Sequence, residues 1–543
     1  MSNRVILASL ALASVIPARA GAQRTCEGLS TLTLSGAGIT SATVVPAGTF
    51  TPPPGPVQAP VMSLPAYCRV QGVARPTGDS EIRFEVWLPD AASWNGKFEQ
   101  IGNGGYAGSI LSAGLASRVA LGYAAAATDD GHVGPSPSFA IGHPEKVVDF
   151  GHRAVHQTAV QAKVIVAALY NRAPTQSYFF GCSDGGREAL MEAQRYPEDF
   201  TGIIAGAPAN NWTRLLTAGV WNWKALTESP GSAIPAAKLA AIQRAAVEAC
   251  DKADGLEDGL IEDPRRCRFQ PSVLRCTGAD GPDCLTAPQL AALEKIYRGP
   301  RNPRTGEVIY PGAVPGTEAL PGTWVPWLAT RSGTGLPLQA WFGTSFYSNM
   351  VFEDSTWDYR TIDFDRDLAL ALRKAGSALD SNDPDLRRFR DRGGKLIQYH
   401  GWGDAAIPAG GSIEYYERVK ATLERSQGKP VEDFYRLFMV PGMSHCAGGA
   451  GPNDFGNVGL FGVDRSDPER DVHAALERWV EKGVAPDRII AAGTRPSRSP
   501  DDTAAAVKLT RPICPYPRTA RYRGSGSGDD AGSFVCSEEP RSR

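Results

Sequence analysis

Ser177-Tyr178-Phe179-Phe180-Gly181-Cys182-Ser183-Asp184-Gly185-Gly186-Arg187-Glu188-Ala189-Leu190-Met191-Glu192-Ala193-Gln194-Arg195 reads as a short strand, a tight turn and a helix. The second half is made of strong helix formers, whereas Ser177 to Phe180 is an apolar run too short to be a helix. Between them stands Gly181-x-Ser183-x-Gly185, a pattern that lifts a serine hydroxyl above the end of a sheet. Its glycines permit a turn too sharp for larger side chains. Alone the pattern is a weak signal; the strand before it and the helix after it give it specificity. Gly202-Ile203-Ile204-Ala205-Gly206-Ala207-Pro208 then supplies a further strand.

Strand, Gly-x-Ser-x-Gly and helix together form the nucleophile elbow of α/β-hydrolases, so the expected fold class is α/β, an α/β-hydrolase core. In that fold the catalytic residues follow in the order Ser, Asp, His. Ser183 is the candidate nucleophile. His445, in Pro441-Gly442-Met443-Ser444-His445-Cys446, is the candidate base, and both residues stand beside a cysteine. Joining Cys182 to Cys446 would hold the serine against the histidine, the core of nucleophilic acyl transfer. Asp404 is the candidate acid because it follows a predicted strand, Lys395 to Gly401, and precedes the histidine loop. Glu414 and Asp433 are its rivals. The remaining histidines, 132, 143, 152, 156, 400 and 473, carry no comparable signal, and His473 is read as the polar face of the last helix.

The chain has 10 cysteines, and eight form close pairs: Cys26 with Cys68, Cys250 with Cys267, Cys276 with Cys284, and Cys514 with Cys536. Spacing does not fix connectivity, but local pairing leaves Cys182 and Cys446 as the remainder. No CxxC pair is present, which argues against zinc. Met1 to Ala22 has one early arginine, an apolar run and a small-residue end, the pattern of a signal peptide over 1–22. The expected product is secreted or periplasmic, where disulfides persist. A net charge of −2 and a pI near 6.4 give no electrostatic reason to expect nucleic acid or an anionic membrane as partner. Oligomeric state is not legible.

Working outward, strands are predicted for Glu81–Pro89, Lys97–Ile101 and Gly122–Asp130, and helical spacing runs from Val148 to Tyr170. The pattern turns irregular from 211 to 392, where tryptophans, prolines and two close cysteine pairs suggest a lid or substrate-binding insertion. The expected organisation is core 23–210, insertion 211–392 and core 393–543. An oxyanion hole needs two backbone N–H donors. Asp184, the residue after the serine, should supply one, and Gly104 or Gly105 in Gly102-Asn103-Gly104-Gly105 the other. From Cys250 to Asp263, carboxylates alternate with glycines, so that hard oxygen ligands could converge as calcium requires. A solvated acidic turn is the competing reading of that loop.

With these residues in place, the chain resembles the tannase and feruloyl esterase family, which also holds the hydrolase of mono(hydroxyethyl) terephthalate. The resemblance rests on Cys182-Ser183, Asp404 and His445-Cys446, and extends to Gly403-Asp404-Ala405-Ala406-Ile407-Pro408 and Thr286-Ala287-Pro288-Gln289. It implies an α/β-hydrolase core with a large lid and a structural calcium, without an organic cofactor. The implied ligands are the side chains of Asp251, Asp254 and Asp258 and the carbonyls of Leu256 and Leu260. It also implies all five cysteine pairs. The implied substrate is a small aromatic-acid ester of feruloyl or galloyl type, with a phthalate-type monoester as the alternative. Trp324, Trp327, Trp341, Phe342, Phe346 and Phe352 are the aromatics of the insertion that could stack on such an acyl group. Two further classes stay open at this stage: a catalytically inactive calcium-stabilised binding protein, and a peptidase or amidase using the same machinery.

Overall fold

The computed structural model describes residues 24–53, 61–329, 335–427, 430–457, 466–496 and 506–538; the signal peptide expected over 1–22 lies outside them. In chain order the strands are β1 (Ala37–Val45), β2 (Gly48–Phe50), β3 (Met62–Leu64), β4 (Tyr67–Ala74), β5 (Ile82–Pro89), β6 (Lys97–Ile101) and β7 (Ala124–Thr128). They continue with β8 (Gln176–Cys182), β9 (Gly202–Gly206), β10 (Lys395–Gly401) and β11 (Tyr435–Val440). The last four are β12 (Ile489–Pro496), β13 (Ala506–Ile513), β14 (Thr519–Tyr522) and β15 (Phe534–Ser537). Nine strands form one sheet in the order β1-β4-β5-β7-β6-β8-β9-β10-β11. The first three pairings are antiparallel. The rest are parallel, which is why β7 and β9 are buried along their whole length and read as continuous apolar runs.

Alternation along the central strands divides the core between the two faces of the sheet. Phe179, Ile203 and Leu396 join the helices Ala154–Tyr170, Asp184–Arg195 and Gly410–Gln427 on one side. Tyr178, Ile204 and Ile397 meet Leu476 and Trp479 of the helix Val472–Lys482 on the other. His473 on that last helix is not solvated as the sequence suggested. Its Nδ1 lies 3.4 Å from Glu99 Oε1 and 3.2 Å from Arg118 Nη1, inside a buried charged cluster. Periodicity placed the residue on the polar side of the helix, but the sheet supplies charges for that side to meet.

Between β9 and β10 the described residues of 207–394 form helices and long loops, with one buried cluster almost entirely theirs and another shared with Tyr106, Phe150 and Ile407. The helices Trp212–Thr227 and Leu338–Phe346 cross closely at two glycines. A Cβ at Gly219 would sit 2.5 Å from the Gln339 carbonyl oxygen, and one at Gly343 2.6 Å from that of Leu216. The helix Ala287–Arg298 starts with a capping box, Thr286 and Gln289 satisfying each other's backbone N–H, and proline in its first turn. Among the described residues, no helix is long and apolar enough to cross a membrane.

All five disulfides have the pairing expected above. Cys26 is bonded to Cys68, Cys250 to Cys267, Cys276 to Cys284 and Cys514 to Cys536, while Cys182 and Cys446 join across 264 residues. Cys68 stands in β4, so the first bridge fastens the start of the described chain to the antiparallel part of the sheet. Cys536 stands in β15, and its bond to Cys514 ties the hairpin of β14 and β15 to the end of β13. These two bridges and the two in the insertion are local staples; the long one joins the end of β8 to the histidine loop.

Candidate active site

β8 ends at Cys182, and the next residue takes the bend. Ser183 has φ 67° and ψ −119°, a conformation that L-residues hold only under constraint. The glycines themselves do not take a positive φ; they permit the sharp turn by letting backbone approach backbone. A Cβ at Gly181 would lie 2.2 Å from the Gly185 oxygen, one at Gly185 2.7 Å from the Asn103 oxygen, and one at Gly186 2.2 Å from the Gly206 oxygen. Packed so tightly, the helix Asp184–Arg195 fixes the serine above the sheet.

The two other candidate residues converge on this point. Ser183 Oγ lies 2.9 Å from His445 Nε2, and His445 Nδ1 lies 2.7 Å from Asp404 Oδ2. Asp404 is buried, and its Oδ1 accepts the N–H groups of Ala406 and Ile407, both at 2.8 Å. Burial pushes its pKa up, but the neighbouring His445 and His400 rings and their hydrogen bonds outweigh that, and the carboxyl stays well below its ordinary value. It is thus an anion aimed at the imidazole. Glu414 and Asp433, the rival acids, are not partners of His445; Asp433 lends its carbonyl to Lys395. The Cys182–Cys446 bridge closes beside this line of atoms, and Cys446 also has a positive φ, 63°.

Beneath the elbow, oxygens of Asp130, Asp184 and Glu188 all lie within 4.8 Å of one another, buried. Arg187 is their cation, its Nε 2.6 Å from Asp184 Oδ1. Burial and the neighbouring Asp184 push Glu188 up to about 7. Glu188 Oε2 accepts the Asn103 N–H at 3.0 Å, tying the glycine loop 102–105 to the nucleophile helix. The Asp184 side chain is committed to this cluster, so only its backbone is left to face a substrate. Gly104 and Gly105 both border the cavity above Ser183; a Cβ at Gly104 would meet nothing within 4 Å, whereas one at Gly105 would touch Phe342 at 3.4 Å.

That cavity measures about 860 Å³ and is mostly apolar. Of the ten cysteines, Cys182 and Cys446 border it; Cys26, Cys68, Cys514 and Cys536, like the four of the insertion, do not, and their part is structural. Of the six aromatics singled out in the insertion, Trp327 and Phe342 line it, and Trp327 stands edge-on to His445 with ring centroids 5.2 Å apart. Trp324 and Phe346 are core residues of the insertion, Phe352 packs on Tyr347 and Trp357, and Trp341 on Tyr106. The sequence reading missed Trp212, Leu215, Leu216 and Ile407, which also line the cavity. The 212/215/216/219 spacing of one helix face was the signal that could have found the first three. Arg118 is the one permanently charged lining residue among those described, and it is engaged with Glu99 at 3.4 Å.

In the acidic loop, Asp251 accepts the N–H of Gly259 at 2.9 Å and of Asp258 at 3.2 Å, while Asp254 Oδ1 accepts that of Leu256 at 2.9 Å. Asp258 Oδ1 takes the Leu260 N–H at 3.0 Å, and its Oδ2 pairs with Arg511 of β13, a neighbour the sequence did not reveal. Asp254 Oδ2 is buried without a hydrogen-bond partner. The orphaned Asp254 Oδ2 is a hard oxygen of the kind calcium takes. The Cys250–Cys267 bridge closes the segment.

Strand order, strained serine and the position of the histidine loop after the last parallel strand define an α/β-hydrolase. The profile of tannase and feruloyl esterase matches residues 68–537, and the chain belongs to that family of carboxylesterases. An uncharacterized esterase of Xanthomonas campestris pv. campestris is 46% identical over 563 residues, covering 99% of this chain and 95% of its own. A protein of Aspergillus flavus named "Probable feruloyl esterase B-1" is 34% identical over 472 residues, 86% of each chain. The crystal structure of feruloyl esterase B from Aspergillus oryzae superposes with a TM-score of 0.83 at 30% identity, covering 94% of this chain and 99% of that one.

Proposed function

We propose that this esterase hydrolyses esters of aromatic acids, of feruloyl or galloyl type, through an acyl-enzyme on Ser183. The observation that carries the reading is the Ser183–His445 contact of 2.9 Å opening into an apolar cavity bordered by Trp212, Trp327 and Phe342. His445 Nε2 takes the serine proton as Oγ attacks the ester carbonyl, then returns it to the leaving alcohol. Asp404 keeps Nδ1 protonated and faces the imidazolium that forms. The backbone N–H of Asp184, with that of Gly104 or Gly105, receives the developing oxyanion. Water activated by His445 then releases the acid. The flat aromatic acyl group stacks among the cavity rings.

Arg118 is held by Glu99, which favours an uncharged acyl group over one carrying a second carboxylate. Hydrolysis of methyl ferulate, methyl gallate and mono(hydroxyethyl) terephthalate is therefore expected with the terephthalate monoester slowest. Steady-state kinetics on the three check this. Terephthalate as the preferred acyl group would overturn the substrate assignment, and no turnover of any of them would overturn the reaction assignment.

Secretion, or export to a periplasm, belongs to the same reading and is supported by the five disulfides. Calcium in the lid-like insertion would be held by Asp251, Asp254 and Asp258 with the carbonyls of Leu256 and Leu260, and would supply cohesion rather than chemistry. Chelation with EDTA is expected to lower the melting temperature by several degrees, and added calcium to restore it. An unchanged melting temperature would overturn the calcium assignment.

A further inference from the structure

His400 stands in β10, four residues before Asp404, with its ring fully buried. For a neutral ring, its surroundings leave one consistent placement of hydrogens. The Ile407 carbonyl, 2.9 Å from Nε2, can only accept, so Nε2 carries a hydrogen. Nδ1 faces Ser412 Oγ at 2.7 Å. That hydroxyl accepts from the Gln398 amide nitrogen at 2.6 Å, and the amide is itself oriented by the Tyr435 hydroxyl, which donates to Gln398 Oε1. The Ser412 hydrogen is thereby turned toward Nδ1. On the flank of the Nε2 hydrogen lies Asp404 Oδ2, at 3.2 Å, the same oxygen that accepts from His445.

We propose that His400 is a positioning residue for Asp404: as the Nε2–H tautomer it closes the 400–407 turn through the Ile407 carbonyl and shares its hydrogen with the carboxylate that orients His445. The inference rests on the esterase reading above. Ile407 is then pinned at both ends, its N–H on Asp404 Oδ1 and its C=O on His400. Because Ala406 and Ile407 also line the cavity, one buried ring fixes both the acid and a stretch of cavity wall. The Tyr435–Gln398–Ser412 relay serves to hold that ring in one tautomer.

The test is nitrogen-15 NMR of the histidine-labelled wild-type enzyme, combined with kinetics of His400→Gln and His400→Leu. The resonances absent from His400→Gln identify the ring. It should show a protonated Nε2 and a bare Nδ1. His400→Leu, which offers no donor, should lose about 10- to 100-fold in kcat with KM little changed, the cost of one hydrogen bond to a charged group. His400→Gln, whose amide can still donate, should recover part of that loss. A protonated Nδ1, or a folded His400→Leu with wild-type kcat, would overturn the proposal. Should the wild type cleave no ester, the esterase reading fails by itself, and the NMR result still decides the tautomer.

Discussion

Ser183→Ala is expected to lower kcat by about 10⁴- to 10⁶-fold and to move the melting temperature by no more than about 2 °C. The first half follows from the geometry: Ser183 Oγ is the hydroxyl hydrogen-bonded to His445 Nε2, so removing it leaves a general base with nothing to activate. What remains is catalysis by the oxyanion donors and by binding, a factor of about 10³ to 10⁴ over water in triad hydrolases. The second half follows from the backbone. Ser183 holds φ 67° whichever small side chain it carries, because Gly181, Gly185 and Gly186 clamp the turn from both sides. Alanine adds no atom that serine lacked, and the lost hydroxyl bond is partly exposed to the cavity. KM should change little, since the cavity rings are untouched. Purified protein, steady-state kinetics on methyl ferulate and a thermal scan suffice. A variant within tenfold of wild type would place the nucleophile elsewhere. A variant that is inactive but melts far lower would mean that the serine is a structural element of the elbow.

The elbow was legible because each half of it carries its own period: aromatic residues too few for a helix before Gly181, helix formers after Gly186. Asp404 and His445 were legible from order alone, one after a predicted strand and the other beside a cysteine. What the sequence hid is of one physical kind. His400, His473, Arg511 and Trp212 acquire their surroundings from outside the strand or helix that carries them: Ser412 and Ile407, Glu99 and Arg118, Asp258 of the acidic loop, and the cavity. No local pattern marks a histidine whose hydrogen goes to a carbonyl seven residues on. The glycines of the elbow show the same limit at closer range. Their presence is readable, but whether they bend the chain or admit another backbone depends on Asn103 and Gly206, which arrive from neighbouring strands and loops.

Removing the tether with Cys182→Ala and Cys446→Ala should cost activity more than it costs stability. The bridge spans 264 residues, and loop-closure entropy over such a length is worth about 5 kcal/mol at most, with about 2–5 kcal/mol typical of native bridges. An unfolding entropy of about 2 cal/mol/K per residue makes roughly 1 kcal/mol/K for a chain of 543 residues, so the melting temperature should fall by only about 2–5 °C. Activity is more sensitive, because both reacting side chains neighbour the bridge and both sites hold a positive φ, 67° at Ser183 and 63° at Cys446. Without the covalent link, the histidine loop keeps the Ser444 hydroxyl on the Gly322 carbonyl at 2.8 Å, the Asn457 amide on the Cys446 carbonyl at 2.8 Å, the Gly403 N–H on the Met443 carbonyl at 2.8 Å, and the bonds of His445 to Asp404 and Ser183. If Cys446 relaxes toward an ordinary φ, His445 moves by an ångström or more, and a misplacement of that size costs about 100-fold in kcat. The comparison to make is kcat of the double variant and wild type at a temperature where both are folded. A loss of that order, with a modest shift in melting temperature, assigns the bridge to positioning. Undiminished kcat would assign the histidine's place to these non-covalent contacts, and leave the disulfide a staple of the two halves of the core.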